Sequence, residues 1–305
     1  MAMLQQVSPT EPIEVEVAPR RAARPQREPL SRRLTRVAGL VLTTVGVIVV
    51  LFLVYLLVVT RLTDTDSQRR LLVKYRARIA TGLPLPARVP LVKGAPVALL
   101  EVPKLGLSKV VTEGTDPDAL KHGPGHYRTS PLPGQPGNAV LAGRRTTYGG
   151  AFGRVASLHR GDRILVTTLQ GRFTYKVVRT ARVKPGEADV LSPTDDSRLT
   201  LITSDPAYTA SGRRAVVARL DGRPAARLQT TPAAVADDEL GLSGDRGALA
   251  LVVVWAELLI VTLVAAAFLY RRWARGPTYL LTTPVIVALL FLLFENFDRL
   301  LPATL

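Results

Sequence analysis

Three long apolar runs divide this chain, and the polar stretches between them set its organisation. The first, Val37 to Thr60, reads VAGLVLTTVGVIVVLFLVYLLVVT and carries no charge. About 20 helical residues cover the roughly 30 Å of bilayer hydrocarbon, so this pattern predicts a transmembrane helix over 37–60. A cleaved signal peptide would have a shorter apolar core and a small-residue cleavage site, so the run reads as a retained anchor. A second transmembrane helix is predicted over 248–270. A third, over 279–294, is shorter and contains Pro284. Proline is tolerated in membrane helices when neighbours re-satisfy the freed backbone groups. The alternative for the third run is a re-entrant or interfacial helix. Ahead of the first span, residues 1–36 are rich in Pro, Glu and Arg, show no apolar periodicity, and read as a disordered basic tail.

The polar block between the first two spans has its own pattern. Residues 61–95 read as a membrane-proximal helix and linker. The helix covers Asp64 to Ala80, with Asp64 or Asp66 as its cap and Leu71, Leu72, Tyr75 and Ile79 on one face. The linker is Pro-rich from Gly82 to Pro90. Short β-type runs follow, separated by turn residues: Val97 to Val102, Lys109 to Thr112, Asn138 to Ala142, Arg163 to Leu169, Arg172 to Val183, Arg198 to Thr203 and Arg214 to Leu220. Turn signals include Leu-Gln-Gly at 169–171 and Lys-Pro-Gly at 184–186. Many short strands with Gly and Pro turns predict an all-β domain over 96–220, either a closed barrel or a sandwich. From 221 to 247 the composition shifts to Ala, Pro, Asp and Thr, which reads as a flexible stalk.

Charge decides orientation. Arg20, Arg21, Arg24, Arg27, Arg32, Arg33 and Arg36 precede the first span, and Arg271, Arg272 and Arg275 separate the second from the third. Short basic flanks stay cytoplasmic, so the N-terminus is expected inside and the all-β domain outside the cell membrane. The net charge is +16, from 40 Lys and Arg against 24 Asp and Glu. Such a balance suits an anionic partner, and the spans favour lipid or an acidic polymer over nucleic acid, for which no recognition motif is present. Glu257 lies near the middle of the second span. It reads either as a helix–helix contact or as a neutral, locally tolerated carboxyl.

Candidate chemistry is narrowed by what is missing. The chain has no cysteine, which excludes disulfides, thiolate metal sites and a thiol nucleophile. His122, His126 and His159 lack metal-ligand spacing, and no metal or cofactor is expected. Four ordered segments stand out instead. They are Gly123-Pro124-Gly125-His126-Tyr127; Gly137-Asn138-Ala139-Val140-Leu141-Ala142-Gly143-Arg144-Arg145-Thr146-Thr147-Tyr148-Gly149; Phe152 through Gly161-Asp162-Arg163-Ile164; and Leu199-Thr200-Leu201-Ile202-Thr203-Ser204-Asp205-Pro206. Arg213-Arg214 then precede an apolar strand.

Together, over roughly Pro96 to Leu220, these segments resemble the sortases, the cell-surface cysteine transpeptidases of Gram-positive bacteria, and most nearly class E. The resemblance implies a closed eight-stranded β-barrel with short helices. It also implies a mechanism. A thiolate attacks a threonyl carbonyl in a short sorting motif, a histidine protonates the leaving amine, and an arginine stabilises the oxyanion. In this chain Ser204 stands at the cysteine, Arg144 at the histidine, and Arg214 or Arg213 at the arginine. Arg145, Thr203, Asp205 and His126 would line the groove.

The replacements change the expected chemistry. A serine hydroxyl is a weak nucleophile unless a base takes its proton, and a guanidinium stays protonated. Loss of nucleophile or base costs about 10⁴ to 10⁶ in rate in well-studied hydrolases. Ser204 reads as a small strand-end residue filling the cysteine's space, or as a nucleophile served by His126, Asp205 or water. Arg144, Arg145, Arg213 and Arg214 read either as a cationic groove or as a solvated charge run. The leading expectation is a catalytically inactive membrane protein. Its candidate partners are a sorting-motif peptide, an anionic cell-wall polymer or an active sortase. The alternatives are a serine-dependent enzyme of the same family and a passive membrane scaffold.

Overall fold

The computed structural model describes residues 30–81, 88–184, 190–207, 211–231, 244–245, 247–272 and 275–305. In chain order the elements begin with α1 (Leu30–Val54), a π-helical turn (Tyr55–Val59) and α2 (Thr60–Ala80). Strands β1 (Arg88–Pro90), β2 (Pro96–Val102) and β3 (Leu107–Glu113) follow, then α3 (Pro117–Leu120), β4 (Gly125–His126) and β5 (Asn138–Ala142). After them come β6 (Arg163–Thr168), β7 (Gly171–Val183), β8 (Arg198–Asp205), β9 (Gly212–Asp221) and β10 (Gln229–Thr231). Two long helices end the chain, α4 (Ala248–Arg272) and α5 (Arg275–Leu300). The chain divides into two compact units, Met1–Ile48 and Val49–Leu305.

Eight strands close into a barrel in the order β2-β3-β4-β5-β8-β9-β7-β6. The pairs β3–β4 and β5–β8 are parallel and the rest are antiparallel. Alternation along each strand fills the interior with Leu100, Leu141, Ile164, Tyr175, Leu201 and Val216. The opposite parity of β5, β8 and β9 makes a second apolar cluster outside the barrel. Val140, Ile202 and Ala215 there meet Leu120, Tyr127 and Ala303. Both faces of β8 are therefore covered, which buries Leu199 through Asp205 without a break.

Several expectations are corrected. Thr60–Ala80 continues the preceding helix, so neither Asp64 nor Asp66 caps a helix start. A helix running in from Val59 already satisfies the amides that a cap would serve. Asp64 instead pairs with Lys109 on β3, and Asp66 with Arg70 one turn on. The docking face of α2 is also more polar than its leucines predict. Gln68 exchanges hydrogen bonds with the backbone of Val110, and buried Tyr75 donates to the Thr167 carbonyl, while Ile79 is exposed. The helix extends back to Leu30, into the predicted tail, whose residues 1–29 lie outside the described residues.

Within the linker and stalk, β1 and β10 form a separate two-stranded parallel sheet, pairing Arg88 with Gln229 and Pro90 with Thr231. Residues 82–87 of the linker, 185–186 of the Lys-Pro-Gly turn, and 232–243 and 246 of the stalk lie outside the described residues. The segment Gly125–His126, absent from the predicted strands, is a short barrel strand. Among the described residues, three helices are long and apolar enough to cross a membrane: Leu34–Ala80, Ala248–Arg272 and Thr278–Leu300. Phe52 and Tyr55 meet the rings of Phe291, Phe294 and Phe297 on α5.

Candidate functional site

The site is assembled where β5 and β8 end side by side. Their parallel pairing runs to Ala142–Ile202, so the loop Gly143–Thr147 leaves β5 beside Thr203, Ser204 and Asp205. Thr203 ties the two ends together by donating to the Gly143 carbonyl at 2.9 Å. Gly143 is required there, because a Cβ would stand 2.6 Å from the ring of Phe152. On the other side β9 pairs antiparallel with β8, which sets Arg213 opposite Ser204 and Arg214 opposite Thr203.

Arg144 is buried, 1% exposed, and its side chain does not face Ser204. It reaches Asp298 on α5, with N···O distances of 3.2 and 3.3 Å to the two carboxylate oxygens. It also donates to Thr147 Oγ1 and to the Pro117 carbonyl, both at 3.0 Å. Its guanidinium carbon lies 4.6 Å from the centre of the Tyr148 ring. Burial and the neighbouring Asp298 charge push the Tyr148 hydroxyl well above the ordinary phenol range. Two further ion pairs fasten the same end of α5. Arg299 meets Asp118 at 2.9 Å, and Glu295 lies 3.9 Å from Lys121. Burial works to raise the Asp118 carboxyl, but the Lys121 and Arg299 charges outweigh it and hold it below its ordinary value.

One carboxylate, Asp205, gathers arginines of the predicted cationic groove and offsets part of their charge. Asp205 accepts from Arg145 at 3.0 Å and from Arg214 at 2.8 Å, and lies 3.4 Å from Arg182. Arg145 also donates to the Ser204 carbonyl at 2.6 Å. Arg213 is partly buried, and that burial lowers its guanidinium pKa.

Ser204 is fully buried, and its Oγ lies 2.7 Å from Thr304 Oγ1. His126 is not brought to it. The imidazole is fully buried on β4, with Nδ1 2.9 Å from Glu113 Oε2 and Nε2 3.0 Å from the Pro131 carbonyl. Ser130 Oγ also lies 3.2 Å from Nε2 while donating to the Tyr127 carbonyl, so each ring nitrogen faces an acceptor, which favours the doubly protonated ring. Burial opposes that charge, but Glu113 outweighs it and raises the His126 pKa above its ordinary value. Of the bases considered for Ser204, His126 is thus committed to Glu113 on β3, and Asp205 is bound to Arg145 and Arg214. Among the described residues, no group of three or more His, Asp or Glu side chains is placed to hold a metal ion.

The residues that the sequence reading missed follow the third span. Backbone amides of Arg145, Thr146 and Thr147 donate to the Leu305 oxygen at 3.0, 2.9 and 3.4 Å, and Arg145 N also reaches the Thr304 carbonyl at 3.0 Å. Asp298, Thr304 and Leu305 therefore belong to the site. One sequence signal was available: Glu295, Asn296, Asp298 and Arg299 break the apolar run just before it ends.

Residues 100–221 match the family model described as "Sortase domain". Among curated proteins, the chain is 32% identical over 111 residues to Sortase D of Bacillus subtilis, covering 36% of this chain and 54% of that one. It is 29% identical over 216 residues to Sortase SrtE1 of Streptomyces coelicolor, covering 66% of this chain and 61% of that one. The chain thus spans between half and two thirds of the length of these relatives. Among solved structures, it is similar to Sortase E1 from Streptomyces coelicolor with tripeptide in the active site. There the identity is 30% and the TM-score 0.40, over 43% of this chain and 91% of that one.

Proposed function

This chain belongs to the sortase family, and from that premise we propose that it is a membrane-held, extracytoplasmic member that binds a peptide in the family's groove without cleaving it. One observation carries the reading: the side chains at both reactive positions are engaged in buried contacts that leave them no part in acyl transfer. Arg144 is bound to Asp298, and Ser204 faces a threonine hydroxyl. A hydroxyl is no base, and an arginine supplies none. A nucleophile needs a base within hydrogen-bond reach, and His126, the histidine nearest in the motif, is bound to Glu113 and Pro131 instead.

The choice of a peptide over an anionic wall polymer rests on charge and on backbone. Asp205 pairs with both Arg145 and Arg214, and its single charge lowers, without cancelling, the positive charge that a polyanion would meet. The amides of 145–147 converge on an oxygen of Leu305, so the occupant that these donors hold in the structure is a peptide segment. Sortase E1, the relative solved with a tripeptide in its active site, supports the same class of ligand. The proposed orientation keeps the basic flanks of the spans inside and the barrel outside.

The test is to incubate the full chain, in detergent micelles, with fluorogenic sorting-motif peptides and to follow cleavage by mass spectrometry. Turnover no higher than that of Ser204→Ala is expected. Cleavage by the unmodified protein that Ser204→Ala abolishes would overturn the reading and make Ser204 a nucleophile.

A further inference from the structure

The five residues after α5 are Leu301-Pro302-Ala303-Thr304-Leu305. Resting on the peptide-binding reading and deepening it, we infer that this segment is a peptide ligand held in cis, seated in the groove that a threonine-containing peptide in trans would otherwise occupy.

Three independent features carry the inference. The segment is bound through its backbone, as a peptide ligand is. The Leu305 oxygen takes three consecutive amides, and Thr146 Oγ1 adds a fourth donor at 3.0 Å. It is also bound through its side chains. Ala303 is fully buried in the cluster with Leu120, Ile202 and Ala215, and Thr304 is 2% exposed against Ser204. Finally, it has its own shape. The Leu305 amide donates back to the Pro302 carbonyl at 2.9 Å, closing a turn that aims Thr304 at β8. Proline's fixed φ just before the turn lowers the entropy lost in docking. In this arrangement Ser204 meets the threonine side chain and the 145–147 amides meet the Leu305 oxygen.

The ion pairs Arg144–Asp298 and Arg299–Asp118 hold the segment in register from the α5 side. They also raise its effective concentration, because a tethered ligand competes with any free peptide at millimolar-like local levels. Free peptide therefore binds the intact chain poorly and binds well once the segment is gone.

The test uses a fluorescein-labelled synthetic peptide, Leu-Pro-Ala-Thr-Leu, and fluorescence polarisation on the protein in detergent micelles. The variant lacking 301–305 is expected to bind it saturably and the intact chain at least about tenfold more weakly. The Thr→Val peptide should bind that variant about tenfold more weakly than the parent peptide, because it leaves the buried Ser204 hydroxyl unpaired. Equal binding of the two peptides, or no binding by the folded deletion variant, overturns the inference. The same samples are checked for cleavage. Binding without cleavage supports both readings. Ser204-dependent cleavage sinks only the inactive reading, and absence of binding sinks only the cis-ligand one.

A second measurement stands if the deletion variant does not fold. The chain has no cysteine, so Ser204→Cys with Thr304→Cys creates the only thiol pair. Copper–phenanthroline, as oxidant, accepts the two electrons and leaves one intramolecular disulfide. That bond is expected to form, and to form at least about tenfold more slowly when saturating synthetic peptide competes for the groove. Thiols that stay free under oxidation overturn the placement of the segment.

Discussion

Removing the Asp298 carboxylate tests the joint between α5 and the barrel more sharply than any other single change. Asp298 is 0% exposed and Arg144 1%, and the two make a paired contact at 3.2 and 3.3 Å. Breaking a buried pair by deleting one partner costs about 3–5 kcal/mol, because the other charge is left uncompensated. Here the lower end applies. Arg144 keeps Thr147 Oγ1, the Pro117 carbonyl and the Tyr148 ring, and a desolvated cation–π contact contributes about 2 kcal/mol. The cost also has an escape route, since the end of α5 can lift away rather than leave a bare cation buried. The expected result for Asp298→Ala is therefore local opening of 296–305, made easier by about 3 kcal/mol, or about a hundredfold in the opening equilibrium.

Hydrogen exchange read by mass spectrometry on the full chain in micelles measures this directly. Amides in 296–305 and 145–147 should lose about two decades of protection together, while those of β6 and β7 stay unchanged. Arg144→Met combined with Asp298→Leu should recover most of the protection, because a packed apolar pair replaces a buried ion pair at little net cost. Asp298→Ala within about 1 kcal/mol of the parent would mean that water already screens the pair, and the account of Arg144 as an anchor would fall.

Ser204→Cys alone should remain at background in the peptide assay, because a thiol beside arginine can ionise but Arg144 cannot protonate a leaving amine. With Arg144→His added, turnover should rise above background, and further when 301–305 is deleted; turnover by Ser204→Cys alone would reveal an unidentified acid. The His126 pKa is raised in the fold, so its contribution to stability is complete below about 6.5 and is lost as pH rises through the folded value. Thermal melts should therefore decline over that alkaline-going window, and His126→Gln should flatten the decline; an unchanged slope refutes the pairing with Glu113. Reporter fusions after Leu305 and within 221–247 should both read outside, and an inside reading after Leu305 would contradict the contact of Thr304 with the barrel.

What the sequence disclosed follows the range of the interactions. Gly171–Val183 is legible from its alternation and Asn138–Ala142 from a short unbroken apolar run bounded by glycines, both of them local signals, and the ends fall within two residues of the pattern. Gly125–His126 was hidden by length, since two residues carry no alternation. It forms a strand only because Gly125 lets the backbone approach Gly114 where a Cβ would collide with its carbonyl. The sheet β1–β10 was hidden by composition, as its strands sit inside Pro- and Ala-rich stretches. Asp64 looked like a cap because capping is judged from neighbours in sequence, whereas its partner, Lys109, is 45 residues away. The site divides along the same line. Its motifs revealed Arg144, Arg145, Ser204 and Asp205. Nothing local announces a bond across 154 residues to Asp298 or 100 residues to Thr304.

On the proposed reading, in which Arg144 and Ser204 stand where the resemblance places a histidine and a cysteine, those long-range bonds give the two positions one shared meaning. A histidine at 144 would carry a charge that comes and goes near neutral pH, and its ring could not grip both oxygens of Asp298 as a guanidinium fork does. Arginine makes the charge permanent and the grip bidentate, at the expense of any proton transfer. A cysteine at 204 would offer Thr304 only a weak sulfur donor and acceptor, whereas serine offers a hydroxyl that does both at 2.7 Å. Each substitution removes a catalytic capacity and strengthens a contact to the same stretch, 298–304. A site merely released from catalysis would drift without direction, and its two altered residues would have no reason to find partners on one segment. Chemistry given up at Arg144 and Ser204 and a segment anchored through Asp298 and Thr304 are, on this reading, a single structural change.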